Sequence, residues 1–180
     1  MTQPTVFGRK LPRNDYEGDD GVVSFRTCRD SSIGRIVAFA TNGRVDRDGR
    51  VYRAAVTPHD PDGITIEQAA QAVLRVAHLK LVVPRWGMVE LDQHLAAARG
   101  VVVDGWYDAL PLEDRCQAGD DHFTHSIFAS HSSAKTGNVR VWDALDKDLT
   151  GYGRWIGAKA FWLFAASLHY QCSYVPLQHL

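Results

Sequence analysis

Residues 125–143 read HSIFASHSSAKTGNVRVWD, and the way this stretch pairs decides the architecture. HSIFASH (125–131) sets Ile127 and Ala129 two apart, and NVRVWD (138–143) does the same with Val139 and Val141. Between them, Lys135-Thr136-Gly137-Asn138 has turn chemistry, so the stretch predicts an antiparallel hairpin. With the turn centred on Ala134, His125 opposes Asp143, Ile127 opposes Val141 and Ala129 opposes Val139. These side chains share one face, because side chains alternate with a period of two. The apolar ones face the core, and His125 and Asp143 meet at its open end. Opposed side chains lie about 5 Å apart at Cβ, so imidazole and carboxylate are within hydrogen-bond reach. A one-residue slip would break both matches. His122 points to the other face, and His131 shares the face of His125 but lies at the turn end. A plainer alternative takes His125 as a polar strand-end residue and Asp143 as a strand terminator.

Upstream, Cys28 stands just before a helical pattern. Ser31 or Asp30 is placed to cap it, Ile33, Ile36, Val37 and Ala40 recur at helical spacing, and Asn42-Gly43 ends it. RVDRDGRVYR alternates around Asp48-Gly49 and predicts a second hairpin. Thr65 opens a helix with Gln68 completing a capping box, and Ile66, Ala69, Ala70, Val73, Leu74 and Ala77 form its apolar face. Met88, Leu91 and Leu95 mark a further helix closed by Gly100, and VVV at 101–103 reads as a buried strand. Downstream, RWIGAKAFWLFAASL (154–168) reads as one terminal helix. Helices first and an antiparallel sheet second make the class α+β. The expected organisation is a polar arm over 1–20, one domain over 21–170 and a C-terminal tail over 171–180.

The chain has 180 residues, 45% hydrophobic and 23% charged, with a formal charge of −1. Wholesale disorder and a disulfide-dense miniprotein are excluded by that composition, and no global field draws the chain to nucleic acid. The three cysteines, Cys28, Cys116 and Cys172, form no CxxC pair, which argues against a disulfide framework and a structural zinc site. The first residues lack the apolar core of a signal peptide. Residues 160–180 carry no Asp, Glu, Lys or Arg, but Ser167, His169, Gln171, Ser173, Pro176 and Gln178 interrupt the run too often for a spanning helix.

A cysteine nucleophile needs a base in reach and a third group orienting that base. Cys28 sits at the amino end of a predicted helix, where the helix dipole favours negative charge. Several histidines are available as base, and the hairpin narrows the choice to His125, with Asp143 beside it.

Cys before a helix, His opening a strand and Asp ending the next strand resemble a papain-like cysteine peptidase. The closer resemblance is to the bacteriocin-processing-type (double-glycine-peptidase-like) proteins of actinobacterial tailed phages. It rests on CRDSSIGRIVAFATNG, ITIEQAAQAVL, LDQHLAAARGVVVDGWYDALP, HSIFA, VRVWDAL and RWIGAKAFWLFA, from about Gly21 to Leu168. The resemblance implies a papain-like fold with N-terminal helices packed on a C-terminal antiparallel sheet and a terminal helix. It also implies Cys28 as nucleophile, His125 as general base then acid, and Asp143 as the orienting carboxylate, acting on an amide bond of a protein or peptide. A virion, with the protein made in the host cytoplasm, is the implied location. One feature departs from the pattern. Papain-like enzymes place a Gln or similar oxyanion donor shortly before the nucleophile; here Val22, Val23, Ser24, Phe25, Arg26 and Thr27 precede Cys28, and no Gln lies between Gln3 and Gln68. The alternative is therefore an inactive structural virion protein, a minor tail or connector subunit that keeps the fold for subunit contacts.

Other readings compete. Asp120, Asp121, His122 and His125, with His131 nearby, suggest a metal site, but HxxH on a strand without a third placed ligand is a weak pattern. Arg44, Arg47, Arg50 and Arg53 suggest nucleic acid, but Asp46 and Asp48 are interleaved, as on a solvated face. Trp155, Phe161, Trp162, Phe164, Tyr170 and Tyr174 crowd the carboxy end, as for a core helix or a docking surface. The reading adopted has no cofactor, no metal and no nucleic acid, and contacts neighbouring virion or tail subunits through the polar arm or the aromatic C-terminus.

Overall fold

The computed structural model describes residues 28–57, 63–116, 122–145 and 153–178. Its first helix, α1 (Cys28–Ala40), buries Ile33, Ile36, Val37 and Phe39 and ends where Asn42 and Gly43 take positive φ. Asp30 and Ser31, expected as caps, lie instead inside the first turn and are buried, with Asp30 paired to Arg53 at 3.4 Å. The hairpin expected around Asp48-Gly49 is a helix, α2 (Gly49–Ala54). Asp48 is its N-cap, accepting from the Val51 N–H, so the side chain that favours a turn here starts a helix. Helix α3 (Ile66–Ala77) opens on the expected Thr65–Gln68 capping box. Its buried stripe is Ala69, Ala72 and Val73, whereas Leu74, expected on that face, is 61% exposed. Helix α4 (Met88–Ala96) buries Leu91 and Leu95.

The strands are β1 (Val101–Trp106), β2 (Thr124–Ser133), β3 (Asn138–Asp143) and β4 (Arg154–Gly157). Helix α5 (Ala158–Ser167) and a short strand β5 (Cys172–Ser173) follow. They form one antiparallel sheet in the order β4-β3-β2-β1-β5. One face packs on α1, α2 and α3 through Val102, Phe128 and Trp142. The other packs on α4 and α5 through Val101, Val103, Ile127, Ala129, Val139 and Val141. The α+β class therefore takes the form of a sheet covered on both faces. The terminal helix is shorter than expected, because Arg154–Gly157 pairs with β3 before α5 begins. Ile156 lies opposite Val139 and is buried, while Trp155 between its neighbours is exposed: this is strand alternation, too brief to distinguish from a helical turn in the sequence. Cys172 and Ser173, in the segment expected as a tail, pair with Val103 and Val102.

The β2–β3 register differs from the expected one. Gly137, at φ 66°, takes the left-handed position of a turn spanning residues 134–137, so Ser133 pairs with Asn138 and Ser132 with Val139. That is three residues from the expected Ala129–Val139 pairing and would turn every side chain of β2 over. A bulge between Ala129 and His131 takes one residue back, so Ala129 pairs with Val141 and Ile127 with Asp143. The net shift is two residues, and His125 and Asp143 stay on one face. His131, beyond the bulge, is carried to the opposite face. There it pairs with Arg140 and packs edge-on against Trp155, which corrects the expectation that it shares the face of His125.

Candidate active site

His125 lies near the start of β2 and Asp143 at the end of β3, both 1% exposed. His125 Nε2 donates to Asp143 Oδ1 at 2.7 Å, although the residue directly opposite Asp143 is Ile127. The same carboxylate oxygen accepts from the Leu145 N–H at 2.9 Å. The imidazole is walled by rings, with Tyr107 edge-on at 5.1 Å, Phe123 at 5.9 Å and Phe164 at 6.4 Å. Gly105, directly opposite His125, admits Phe164 here: a Cβ at Gly105 would run into the Phe164 carbonyl oxygen and ring.

Cys28 opens α1, is 7% exposed, and interacts with His125. Asp143 takes Nε2, so Nδ1 is the ring nitrogen left for the thiol. Nδ1 has no partner at full hydrogen-bond geometry among the described residues. Burial works against charge on His125, but the negative charges of Asp143 and Cys28 and the hydrogen bonding to them outweigh it. The imidazole pKa is raised well above its ordinary value. Burial also works against a charged Asp143, but the charge and hydrogen bond of His125, the Leu145 N–H and Arg154 outweigh that and lower the carboxyl. The pair is thus built to hold an imidazolium, which is the counter-ion a thiolate needs.

A second set of residues fixes α1 over the start of β2. Ser32 Oγ donates to the Ser126 carbonyl at 3.0 Å, and Ser126 Oγ donates to Asp104 Oδ1. Arg29, next to Cys28, donates to Asp104 Oδ2 at 3.3 Å and to the Ile64 carbonyl at 2.9 Å. Sequence reasoning missed Arg29, Asp104 and Ser126. The available signal was the acid in VVVDGW, a charge inside a buried strand that demands a partner. Arg154 was missed too, because it was read as the start of a helix.

The other candidate ligands scatter. His122 bonds Asp108 at 2.8 Å and stacks on Trp106, while His131 bonds Ser130 at 2.7 Å on the far face. Asp120 and Asp121, the arm over 1–20 and Val22 to Thr27 lie outside the described residues. Among the described residues no three His, Cys, Asp or Glu side chains converge as a metal group, and no helix is long and apolar enough to cross a membrane. Burial, then the charge of Asp104, pushes the Cys172 thiol up to about 12, so that thiol stays protonated. On the aromatic carboxy end, Phe161 and Phe164 are buried in the core, Trp162 is half-buried and Trp155 sits exposed on β4.

The chain superposes on a crystal structure from Bacillus anthracis described as a candidate C39-like peptidase. The TM-score is 0.64 at 15% identity, over 94% of this chain and 95% of that one. The fold is C39-peptidase-like. No protein-family profile matches the sequence, and no curated protein matches it. At this identity the likeness concerns the fold.

Proposed function

We propose that the protein is a papain-like cysteine peptidase with Cys28 as nucleophile, His125 as general base and acid, and Asp143 as the orienting carboxylate. The observation that carries this reading is the buried 2.7 Å bond from His125 Nε2 to Asp143, which leaves the other ring nitrogen to Cys28. The Cys28 thiolate adds to an amide carbonyl, and the imidazolium of His125 gives its proton to the departing amine. A thioester and neutral His125 result. Water then loses a proton to His125 and attacks the thioester, releasing the acid and restoring the thiolate. The substrate class is a protein or peptide.

Iodoacetamide labelling near neutral pH, followed by site-resolved mass spectrometry, tests the assignment. Cys28 is expected to label fastest of the three cysteines, and His125→Ala to slow it at least tenfold. Equal, slow labelling of Cys28, Cys116 and Cys172 would sink the enzyme reading. A second reading, favoured by the lack of any Gln between Gln3 and Gln68, is a structural protein that keeps the fold without the activity. Loss of one oxyanion donor costs on the order of 10²–10³ in rate. Fast labelling of Cys28 without hydrolysis of any member of a broad peptide library selects this second reading. For either one we propose a tailed-phage virion as the setting, with tail subunits met through the N-terminal arm or the aromatic C-terminus. This setting rests on the resemblance of the quoted segments, and mass spectrometry of purified particles tests it.

A further inference from the structure

We propose that Arg154 is a positioning residue of this site, holding the Asp143 carboxylate ionised and turned so that Oδ1 stays on His125. The inference rests on the cysteine-peptidase reading and extends it from three residues to four. Its basis is an imbalance at Asp143. Oδ1 accepts two hydrogen bonds, from His125 Nε2 and the Leu145 N–H, whereas Oδ2 is buried and accepts none among the described residues. A buried carboxylate oxygen without a donor is costly unless a cation lies near it. Arg154 Nη2 lies 4.0 Å from Oδ2. The sheet puts it there: Arg154 pairs with Val141, and Asp143 is two residues on along the same face.

The guanidinium is itself held from the far side. Nη2 donates to the Asp114 carbonyl at 2.5 Å and to Cys116 Sγ at 3.3 Å, and Nη1 lies 3.9 Å from Asp114 Oδ1. These contacts come from the segment after β1, so Arg154 links that segment to the end of the His–Asp pair. At 4.0 Å the approach to Asp143 is electrostatic, and closing it to a hydrogen bond takes a shift of about 1 Å. Among the described residues, the charged or titratable groups facing this cluster include His125 from β2, Cys28 from α1, and Tyr107, Asp114 and Cys116 from the segment after β1. Arg154 is one of the groups that lower the Asp143 pKa, after His125 and the Leu145 N–H.

Without the cation Asp143 takes up its proton at higher pH, His125 loses its counter-ion sooner as pH falls, and the thiolate–imidazolium pair collapses earlier. The experiment is the rate of Cys28 alkylation by iodoacetamide from pH 3 to pH 8 in wild type, Arg154→Gln, Arg154→Lys, Asp114→Ala and His125→Ala. In Arg154→Gln the acidic midpoint is expected to rise by about half to one pH unit, with Arg154→Lys restoring it because the charge is kept. Asp114→Ala, which loosens the far contact alone, should leave it in place. An unmoved midpoint in folded Arg154→Gln, or an equal rise in Asp114→Ala, overturns the proposal. If Arg154→Gln fails to fold, the lysine variant decides: a midpoint at the wild-type position supports a charge role, and a raised one overturns it. If His125→Ala leaves the wild-type profile unchanged, the peptidase reading fails and Arg154 has no role to play.

Discussion

His125 and Asp143 meet on a diagonal: Asp143 stands directly across from Ile127, and the imidazole reaches its carboxylate at 2.7 Å from two residues earlier in β2. Diagonal neighbours on a sheet are about 7–8 Å apart at Cα, within reach of a histidine side chain. The pair is also anchored from its own strand end, since Asp143 Oδ1 takes the Leu145 N–H.

Asp143→Asn keeps the shape of the pair and removes its charge. The amide stabilises an imidazolium far less, so the His125 pKa should fall and the thiolate should lose its counter-ion at neutral pH. Cys28 alkylation is expected to slow by at least tenfold, with secondary structure retained by circular dichroism. An unchanged rate would mean that Asp143 only terminates its strand.

The same pair sets a pH window for stability. His125 is raised above its ordinary value of 6.5, so its contribution is full below that value and is lost as pH rises toward the raised one. Asp143 is lowered below its ordinary 3.8, so its contribution is full above that value and is lost as pH falls toward the lowered one. Both are fully present between about 4 and 6.5. The gap in melting temperature between wild type and Asp143→Asn should be widest in that window and narrow on either side. A gap that keeps growing up to pH 9 would contradict the sign assigned to His125.

Much of this was legible in the sequence. Period two in IFA and VRV pointed to β2 and β3, and the Thr65–Gln68 box marked the start of α3. The His125–Asp143 pairing was expected from a register two residues from the observed one, an even shift that keeps both side chains on one face. The exact partners were not legible, because the turn position was set by Gly137 and the bulge at Ser130 carries no glycine or other sequence mark. The Asp48-Gly49 misreading has a similar cause. Aspartate satisfies a backbone N–H in a turn and at a helix start alike, and burial of Tyr52 with the Asp30–Arg53 pair decides for the helix.

Gly105→Ala tests how α5 is pressed onto the site. The added methyl would meet the Phe164 carbonyl oxygen and ring, so α5 must retreat from the strand position opposite His125. Overpacking of this kind costs about 1–3 kcal/mol, measurable by urea unfolding. Retreat of Phe164 also removes one wall of the imidazole, so water should enter and the alkylation rate of Cys28 should change along with stability. Gly157→Ala is the control, since its Cβ would meet nothing within 4 Å.

Asp104 and Cys28 are coupled through the first turn of α1. Asp104 is 3% exposed and receives Arg29 and Ser126, and Ser126 in turn receives Ser32 through its carbonyl. Asp104→Ala strands the Ser126 hydroxyl in the interior and frees Arg29, which is partly exposed and can turn to water. The expected loss is therefore about 1–3 kcal/mol, short of the cost of a wholly buried broken ion pair. Asp104→Asn keeps an acceptor for Ser126 and should lose less. Both variants loosen the helix end that carries Cys28 and leave His125 and Asp143 in place. Alkylation should slow at every pH while the acidic midpoint stays at its wild-type position, in contrast to the raised midpoint expected of Arg154→Gln. A shifted midpoint in Asp104→Asn would show that Asp104 acts on the charge of the pair and not on the position of the thiol.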